Sequence, residues 1–466
     1  MIDLEEKQER VLLAGVETAE NFQAFESSMI ELAELTKTAG GLVIDQFTQK
    51  RERPDSRTMI GSGKLEQMRW AIEVGEIDTV IFNDRLSPRQ NVNLEEALGV
   101  KVIDRMQLIL DIFAMRARSH EGMLQVEEAQ LNYLLPRLVG QGIMLSRQGG
   151  GIGSKGPGET KLETDRRYIR TRIENIDKAL KKVEKTRENI RQKRSKSGIF
   201  RIGLIGYTNA GKSSIMNALV GLDKEQYEQN ELFATLDATT KAVKLVEDFT
   251  VSLTDTVGFI QNLPTELIKA FKSTLEESAN VDLLIHVVDA SNPHHEIHEQ
   301  TVLKIMEDLK LTNIPVLNVY NKMDIAPSDF LPTLSPSLQL SIKSESGVQW
   351  LKTAILEKLH ELFDAFELEL PYEKAYQLPE LRKSALVQSV VEGEKGYLIK
   401  GLIRLDHFYF AVFFSISMVT IAAELYFLQG LPFFLTWFTT AIGEFASLIA
   451  GAILINQIAK RIDLTK

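Results

Sequence analysis

The stretch GYTNAGKSS, residues 206–214, has the residue types that bind phosphate groups. It fits the pattern G-x-x-x-x-G-K-S, follows the apolar run FRIGLIG and precedes a helical pattern, which is the context this motif requires. Backbone N–H groups would curl around a β-phosphate, Lys212 would contact the β- and γ-phosphates, and the Ser213 hydroxyl would face Mg²⁺. The predicted nucleotide-binding residues are Gly206, Tyr207, Thr208, Asn209, Ala210, Gly211, Lys212 and Ser213.

Two later motifs predict that the nucleotide is GTP. DTVG, residues 255–258, ends a strand pattern, so Asp255 can hold the magnesium shell and the Gly258 N–H can touch a γ-phosphate. NKMD, residues 321–324, ends another strand pattern. A carboxylate at Asp324 pairs with the N1–H and the exocyclic amine of guanine, a donor pair that adenine lacks. Ligands bind at the carboxyl ends of strands in open α/β sheets, so these motifs should meet.

Three further positions bear on hydrolysis and base contact. FATLDATT, residues 233–240, supplies threonines for a switch loop, with Thr235, Thr239 and Thr240 all candidates for closing on the γ-phosphate and Mg²⁺. Phe259 stands where many GTPases of the Ras type have a water-orienting glutamine, and a phenylalanine cannot polarise water. Intrinsic hydrolysis should therefore be slow, unless another group places the water. The stretch around Ser341 is a weaker candidate for a last base-contacting loop.

Two glycine-rich stretches resemble nucleotide loops but fail their context. GSGK at Gly61 lacks the first glycine at the required spacing, and we interpret it as a turn before a helix. The match to G-x-G-x-x-G between Gly151 and Gly156 follows a helical pattern instead of a strand. The second stretch is either the tip of a helical hairpin or a mobile linker.

The chain has 466 residues, enough for several domains, and alternating strand and helix patterns place it in the α/β class. It has no cysteine, which excludes disulfides and thiolate metal sites and fits a reducing compartment. Its acidic start, MIDLEEKQERVLLAGVE, is not a signal-peptide pattern. The predicted domains are an N-terminal α/β subdomain (1–105), a helical hairpin with a glycine-rich tip (106–198), a GTPase domain with a mainly parallel sheet (199–366), a small C-terminal segment (367–405) and a hydrophobic helical hairpin (406–466).

The predicted central hairpin is basic although the chain carries a net charge of −10. Apolar residues three or four apart predict helices over 106–138 and over about 163–194, the second with a coiled-coil-like seam. Between Arg166 and Arg201 there are 14 Lys and Arg residues against 4 Asp and Glu residues. Such a stretch indicates a polyanionic partner, although a solvated helix face would show the same composition.

Residues 408–428 and 431–455 are each apolar and long enough to span a bilayer of roughly 30 Å. Cations at Lys400, Arg404, Lys460 and Arg461 predict a transmembrane hairpin with both ends in the cytoplasm. Glu424 and Glu444 would then face protein or mark a transport site. A buried core hairpin is the alternative.

Six stretches together resemble the HflX family of ribosome-associated GTPases over roughly residues 10–405. They are LILDIFAMRARSHEG, LQVEEAQLNYLLPRL, SRQGGGIGSKGPGETKLETDRR, GYTNAGKSS, LFATLDATT and DTVGFIQNLP. The resemblance implies an N-terminal α/β subdomain, a long helical hairpin, a GTPase domain and GTP-dependent binding to the large ribosomal subunit. A second and weaker resemblance links the last sixty residues to the end of a queuosine-precursor membrane transporter.

The resemblance also implies roles for single residues. It assigns magnesium to Ser213 and Thr235, and catalytic contacts to Lys212, Thr235 and Gly258. It departs at Ala238, where the family has proline, and at Ile342, where the family has a small residue. The remaining nucleotide-binding residues that it implies are Phe233, Ala234, Thr235, Leu236, Asp237, Asp255, Thr256, Val257, Gly258, Asn321, Lys322, Met323, Asp324, Ser341, Ile342 and Lys343.

The resulting expectation is a monomeric, cytoplasmic, Mg²⁺-dependent GTPase that binds ribosomal RNA of the large subunit and splits or rescues stalled ribosomes under stress. Some members of the family use ATP as well. Two alternatives stay open at this point. One is a GTPase tethered to a membrane through residues 408–455, and the other is an RNA-binding GTP switch that does not split ribosomes.

Overall fold

A computed structural model describes most of the chain, and the chain forms two compact units, Met1–Ile355 and Leu356–Lys466. The predicted glycine-rich tip, the switch stretch Phe233–Asp237 and the predicted membrane hairpin lie outside the described residues. The described ranges are 8–147, 157–195, 199–221, 239–246, 249–255, 258–261, 281–393 and 396–403.

The first unit begins with a four-stranded parallel sheet in the order β2-β1-β3-β4. β1 and β3 are buried along nearly their whole length because helices cover them, as is usual for parallel sheets. The local signals are clear at α3, which starts with Pro88 behind a Ser87–Gln90 capping box and ends at Gly99 in the left-handed conformation. The elements are β1 (Arg10–Glu17), α1 (Phe22–Thr38), β2 (Leu42–Lys50), α2 (Ser62–Gly75), β3 (Thr79–Phe82), α3 (Pro88–Leu98) and β4 (Lys101–Asp104).

Three helices follow: α4 (Arg105–Arg116), α5 (His120–Arg147) and α6 (Pro157–Ser195). The helical pattern expected without a break from residue 106 is interrupted after Arg116, because Ala117 is extended. α5 and α6 pack against each other, and Arg172 is bound to Glu127 across them at 2.6 Å. The predicted apolar seam of α6 faces this contact, with Ile176 buried and its neighbours in the seam half-buried.

The first unit also contains a six-stranded sheet in the order β10-β9-β8-β5-β7-β6. Every pairing is parallel except β6 with β7, which agrees with the predicted mainly parallel sheet. The central strands β5, β7 and β8 are rich in β-branched residues and leucine and are buried on both faces. The elements are β5 (Arg201–Gly206), α7 (Lys212–Val220), β6 (Thr239–Val246), β7 (Phe249–Asp255), β8 (Leu283–Asp289), α8 (His295–Asp308), β9 (Val316–Asn321), β10 (Ser337–Gln339) and α9 (Glu345–Leu362).

The second unit contains a three-stranded antiparallel sheet in the order β11-β13-β12. Its first strand begins at Asp364, shortly before the boundary predicted at residue 366. Among the residues that the structure describes, no helix has the length and apolar character to cross a membrane. The elements are β11 (Asp364–Pro371), a 3-10 helix (Tyr372–Gln377), α10 (Leu378–Ser384), β12 (Ala385–Glu392) and β13 (Gly396–Ile403).

One hydrophobic core runs through both sheets of the first unit. It joins Leu32 of α1 and Phe113 of α4 to Phe259 and Ile260, which follow β7 in the chain. Buried apolar surface stabilises a structure in proportion to its area, so this shared core fixes the four-stranded sheet against the six-stranded sheet. The contact reaches the segment that adjoins the predicted nucleotide loop.

Candidate nucleotide-binding site

The predicted phosphate loop connects the end of β5 to the start of α7 and needs glycine at two positions. Gly206 has φ +156°, and a Cβ there would lie 2.3 Å from the carbonyl oxygen of Val287. Gly211 has φ +99°, and a Cβ there would lie 2.3 Å from Nδ2 of Asn321. A side chain at either position would collide with a neighbouring strand, so the loop owes its shape to both glycines.

Lys212 lies in the centre of this loop. Its Nζ donates to the carbonyl oxygens of Gly206 at 3.0 Å and Tyr207 at 2.8 Å. An ammonium group has three N–H donors, so one remains for a phosphate oxygen. Burial lowers the pKa of Lys212 to about 8, while the charge of Asp255 acts in the opposite direction. A buried cation in this loop would gain favourable electrostatic energy from an anionic ligand.

Ser213 and Asp255 lie at the same end of the sheet. The Ser213 hydroxyl donates to Oδ2 of Asp255 at 2.8 Å, which joins the start of α7 to the end of β7. A hydroxyl and a carboxylate are hard oxygen ligands of the kind that Mg²⁺ prefers. The pair therefore fits the predicted magnesium shell, while Thr235, the other implied ligand, lies outside the described residues.

The segment 258–261 pairs with the phosphate loop as a short parallel bridge. The Phe259 N–H donates to the Gly206 carbonyl at 3.2 Å, and the Thr208 N–H donates to the Phe259 carbonyl at 2.8 Å. A Cβ on Gly258 would lie 3.0 Å from Nζ of Lys212, so this glycine adjoins the phosphate end of the loop. The Phe259 side chain is buried in the core, which agrees with the expectation that it does not orient water.

Asn321 connects three parts of the site. Its Nδ2 donates to the Ala210 carbonyl at 3.1 Å, and its Oδ1 accepts the Ile342 N–H at 3.1 Å. One amide thus holds the phosphate loop, the end of β9 and the predicted last loop together. The last loop is thus bound through the backbone N–H of Ile342. The Ile342 side chain, which stands where the family has a small residue, is buried.

The rest of the predicted base-reading motif lies beside Asn321. Lys322 has φ +65° and pairs with Asp289 at 2.7 Å, while the Met323 N–H donates to the Leu340 carbonyl. Asp324 is exposed directly after this turn. Ser341 is half-buried and Lys343 is exposed on the neighbouring loop. The motifs predicted from separate stretches therefore meet at one edge of the sheet.

The switch threonines are only partly described. Thr239 and Thr240 begin β6, where Oγ1 of Thr240 lies 3.0 Å from Oγ1 of Thr254 on β7. Thr239 lies opposite Asp255 in the pairing of β6 with β7, so their place in the sheet does not decide among the three candidates. Thr235 itself, together with Thr256 and Val257, lies outside the described residues.

A cluster of buried polar side chains adjoins this site, and the sequence did not predict this cluster. The Tyr207 hydroxyl donates to Oε1 of Glu31 on α1 at 2.6 Å, and Glu31 is ion-paired with Arg105 of α4. Burial raises the pKa of Glu31, while Arg105 and Tyr207 act to lower it. Burial and the nearby Glu31 raise the pKa of Tyr207 well above its ordinary value, so its hydroxyl keeps its proton. No local pattern signals contacts so distant in sequence.

Comparisons with known proteins agree with this geometry. Residues 26–114 match the family described as "GTP-binding GTPase N-terminal", residues 116–194 match "GTP-binding GTPase Middle Region", and residues 201–322 match "50S ribosome-binding GTPase". The GTPase HflX of Alkalihalophilus pseudofirmus is 47% identical over 396 residues, covering 84% of this chain and 93% of the relative. The GTPase HflX of Escherichia coli K12 is 40% identical over 377 residues, covering 78% and 86%.

A solved structure is also similar, a GTP-binding protein of Sulfolobus solfataricus in complex with GDP. It is 24% identical, covers 75% of this chain and 99% of its own, and has a TM-score of 0.40. The high identity of the relatives over most of both chains, together with the three family matches, decides the assignment: this chain is a GTP-hydrolysing enzyme of the HflX family of GTPases.

Proposed function

We propose that this GTPase binds the large ribosomal subunit in its GTP-bound state and splits or rescues stalled ribosomes. The match of residues 201–322 to the 50S ribosome-binding GTPases supports this proposal most directly. The proposal also rests on the exposed basic face of α6. Five cations on that helix have no ion-pair partner among the described residues, and all are exposed to solvent: Arg167, Arg170, Lys178, Lys182 and Lys185.

Such a face suits a nucleic-acid backbone. Lys and Arg side chains that neutralise phosphates release condensed counterions, and this dominates the binding free energy at physiological salt. α6 has 39 residues and a length of roughly 60 Å at 1.5 Å per residue, so it can carry cations deep into a crowded RNA surface. The family match favours ribosomal RNA as the nucleic acid that this face binds.

For hydrolysis we propose roles that follow from the contacts described above. Lys212 would direct its third N–H to the β- and γ-phosphates and offset their growing charge. The N–H of Gly258 would contact a γ-phosphate oxygen, and the carboxylate of Asp324 would select guanine. A magnesium ion near Ser213 and Asp255 would neutralise phosphate charge. Because Phe259 is buried, a group other than residue 259 must orient the attacking water, and we expect slow intrinsic hydrolysis.

Sedimentation of ribosomes with the full-length protein tests this function. We expect the protein to travel with the large subunit with GTP or a non-hydrolysable GTP analogue, and not with GDP, and we expect free subunits to increase. Lys212→Ala should abolish the nucleotide dependence. Co-sedimentation without any increase in free subunits would instead indicate an RNA-binding GTP switch, and no co-sedimentation in any nucleotide would contradict the proposal.

A variant of α6 tests the proposed RNA surface. Replacing Lys178, Lys182 and Lys185 by alanine should weaken ribosome binding and reduce the slope of log affinity against log salt by about two to three. Lys304→Ala is a control for the loss of an exposed lysine outside α6, because Lys304 is exposed on α8. An unchanged affinity and salt slope in the α6 variant would show that these three lysines do not contact RNA. Deletion of residues 406–466 tests the alternative of membrane tethering, which predicts that the deletion changes ribosome binding.

A further inference from the structure

Five buried side chains join the N-terminal subdomain to the phosphate loop and to the segment after DTVG. We refer to them as the clasp. Ser27 and Glu31 come from α1, Arg105 from α4, Tyr207 from the phosphate loop and Gln261 from the segment 258–261. Each is less than a tenth exposed. Burying polar groups is costly unless they are hydrogen-bonded, so the hydrogen bonds among these side chains favour one arrangement. Nε of Arg105 and Oε1 of Gln261 have no partner among the described residues.

Gln261 is held at three points by three different elements. Its N–H donates to the Tyr207 hydroxyl at 2.7 Å, and its Nε2 donates to Oγ of Ser27 at 2.9 Å. Its carbonyl oxygen accepts a longer hydrogen bond from Nη2 of Arg105 at 3.5 Å. Two of these three contacts come from the N-terminal subdomain, so the position of Gln261 depends on where that subdomain lies.

Tyr207 is the centre of the clasp and also part of the phosphate loop. Its ring stacks on His298 of α8, with the ring centroids 3.7 Å apart and an angle of 4° between the planes. Its hydroxyl donates to Glu31 and accepts from Gln261, so both hydrogen-bonding functions are used inside the protein. A displacement of Tyr207 would therefore disturb its hydrogen bond with the Gln261 N–H, and a displacement of Gln261 would disturb the same bond.

The clasp lies three residues from the predicted γ-phosphate contact. Gly258 adjoins Nζ of Lys212, and the bridge through Phe259 leads directly to Gln261. Three residues span at most about 10 Å, and the backbone of this segment is already paired with the loop, so it cannot absorb a shift without moving its end. GDP has no γ-phosphate, so only GTP would contact the Gly258 N–H.

From these contacts we propose that the clasp positions segment 258–261 for the γ-phosphate and that GTP binding in turn tightens the contact of α1 with the GTPase domain. Tyr207 and Gln261 are then positioning residues, since they act through Gly258. Coupling between two sites is reciprocal, so a ligand that orders Gly258 must stabilise the clasp by the same factor. The inference rests on the nucleotide site proposed above and does not depend on the ribosome as the partner.

Tyr207→Phe in the full-length protein tests the clasp, because the ring can still stack on His298 while both hydroxyl hydrogen bonds are lost. We expect the affinity for a non-hydrolysable GTP analogue to fall on the order of five-fold or more relative to GDP, and kcat to fall while KM for GTP rises. Fluorescence titration with both nucleotides and steady-state kinetics measure these changes. Hydrogen exchange of α1 should be slower with the analogue than with GDP in the wild type and equal in the variant.

Tyr372→Phe is the control. Tyr372 lies in the other compact unit, where its ring packs on Tyr397 and its hydroxyl donates to the Gly393 carbonyl at 2.6 Å. The variant also keeps a ring contact and loses a hydroxyl hydrogen bond, so it should leave the ratio of the two affinities unchanged. Ser27→Ala, a smaller change in the clasp, provides the same readout if Tyr207→Phe fails to fold.

The outcomes separate the clasp from the nucleotide site. A selective loss of analogue affinity in Tyr207→Phe or Ser27→Ala, absent in Tyr372→Phe, supports the proposal. Equal effects in the clasp and control variants, or analogue-to-GDP ratios within two-fold of the wild type in both clasp variants, overturn it. Nucleotide binding that survives Lys212→Ala would show that the site itself is wrongly assigned, and the coupling would fall with it.

Discussion

Two loops of this molecule combine glycine with lysine directly before a helix, and only one has the surroundings of a phosphate site. At the first, Gly61 precedes α2 and Gly63 and Lys64 lie in its first turn. Gly63 has open space around it, and the Lys64 ammonium lies over the ring of Phe47 at 5.7 Å. At the second, Gly206–Lys212 follow β5, and Lys212 is buried with two carbonyl partners.

The difference lies in what surrounds each loop. A strand end, a glycine that passes close to β8 and a second glycine that passes close to Asn321 shape the loop at Gly206. The loop at Gly61 does not directly follow a strand, and its close contacts are with the flexible side chains of Arg51 and Gln49. Residue types alone do not make a phosphate site, because backbone N–H groups converge on an anion only when the loop is wrapped by its neighbours.

Alanine substitution of the two lysines should give the largest difference in GTP affinity between the loops. We expect Lys212→Ala to weaken GTP binding by about a hundred-fold or more, since a buried cation facing phosphate is worth several kcal/mol. Lys64→Ala should leave the affinity within two-fold. Isothermal titration with GTP measures both. Equal losses of GTP affinity in the two variants would show that the loops do not differ in phosphate binding.

The glycines should differ in the stability of the fold. Gly211→Ala forces a methyl group toward Asn321 at a positive φ, and we expect a loss of roughly 1–3 kcal/mol in unfolding free energy together with loss of nucleotide binding. Gly63→Ala lies in open space in the first turn of α2, where alanine should stabilise the helix by about 0.5 kcal/mol. Urea unfolding compares them. A stable Gly211→Ala variant that binds GTP would contradict the described loop.

The smallest expected effect comes from pH. Burial lowers the pKa of Lys212 to about 8, so its charge is present below that pH and is lost above it. Bound phosphates favour the charged form and raise this pKa again, so binding takes up a proton near pH 8 to 9. GTP affinity should therefore fall by up to about ten-fold between pH 7.5 and pH 9.0. Lys212→Arg stays charged over this range, and a variant that still binds GTP should show a flatter profile.

Much of the nucleotide site could be predicted from sequence because each part has a local signal. The loop at Gly206, the DTVG motif and NKMD each end an apolar strand, and the carboxyl ends of parallel strands meet at one edge. The seam of α6 was predicted for the same reason, since its period is local. The break after Arg116 was missed although the apolar spacing lapses between Phe113 and Met123 and the Ser119 hydroxyl caps the next helix.

The clasp could not be predicted in this way. Glu31 and Arg105 are charged residues in helices that otherwise look amphipathic, and nothing local distinguishes a buried ion pair from two solvated side chains. Their partners, Tyr207 and Gln261, lie far along the chain and meet them through the packing of the two sheets and their helices. Tertiary packing decides such contacts, and a single sequence shows no trace of it.

The central claim is that three separate motifs form one guanine nucleotide site, and Asp324→Asn tests it most directly. A carboxylate accepts two N–H groups of guanine, whereas an asparagine amide accepts one N–H and donates to a carbonyl, which is what xanthine presents. We expect Asp324→Asn to bind GTP at least a hundred-fold more weakly than the wild type and to bind xanthosine triphosphate more tightly than GTP. Unchanged preference for GTP in this variant would show that the base is recognised elsewhere and that the motifs do not form this site.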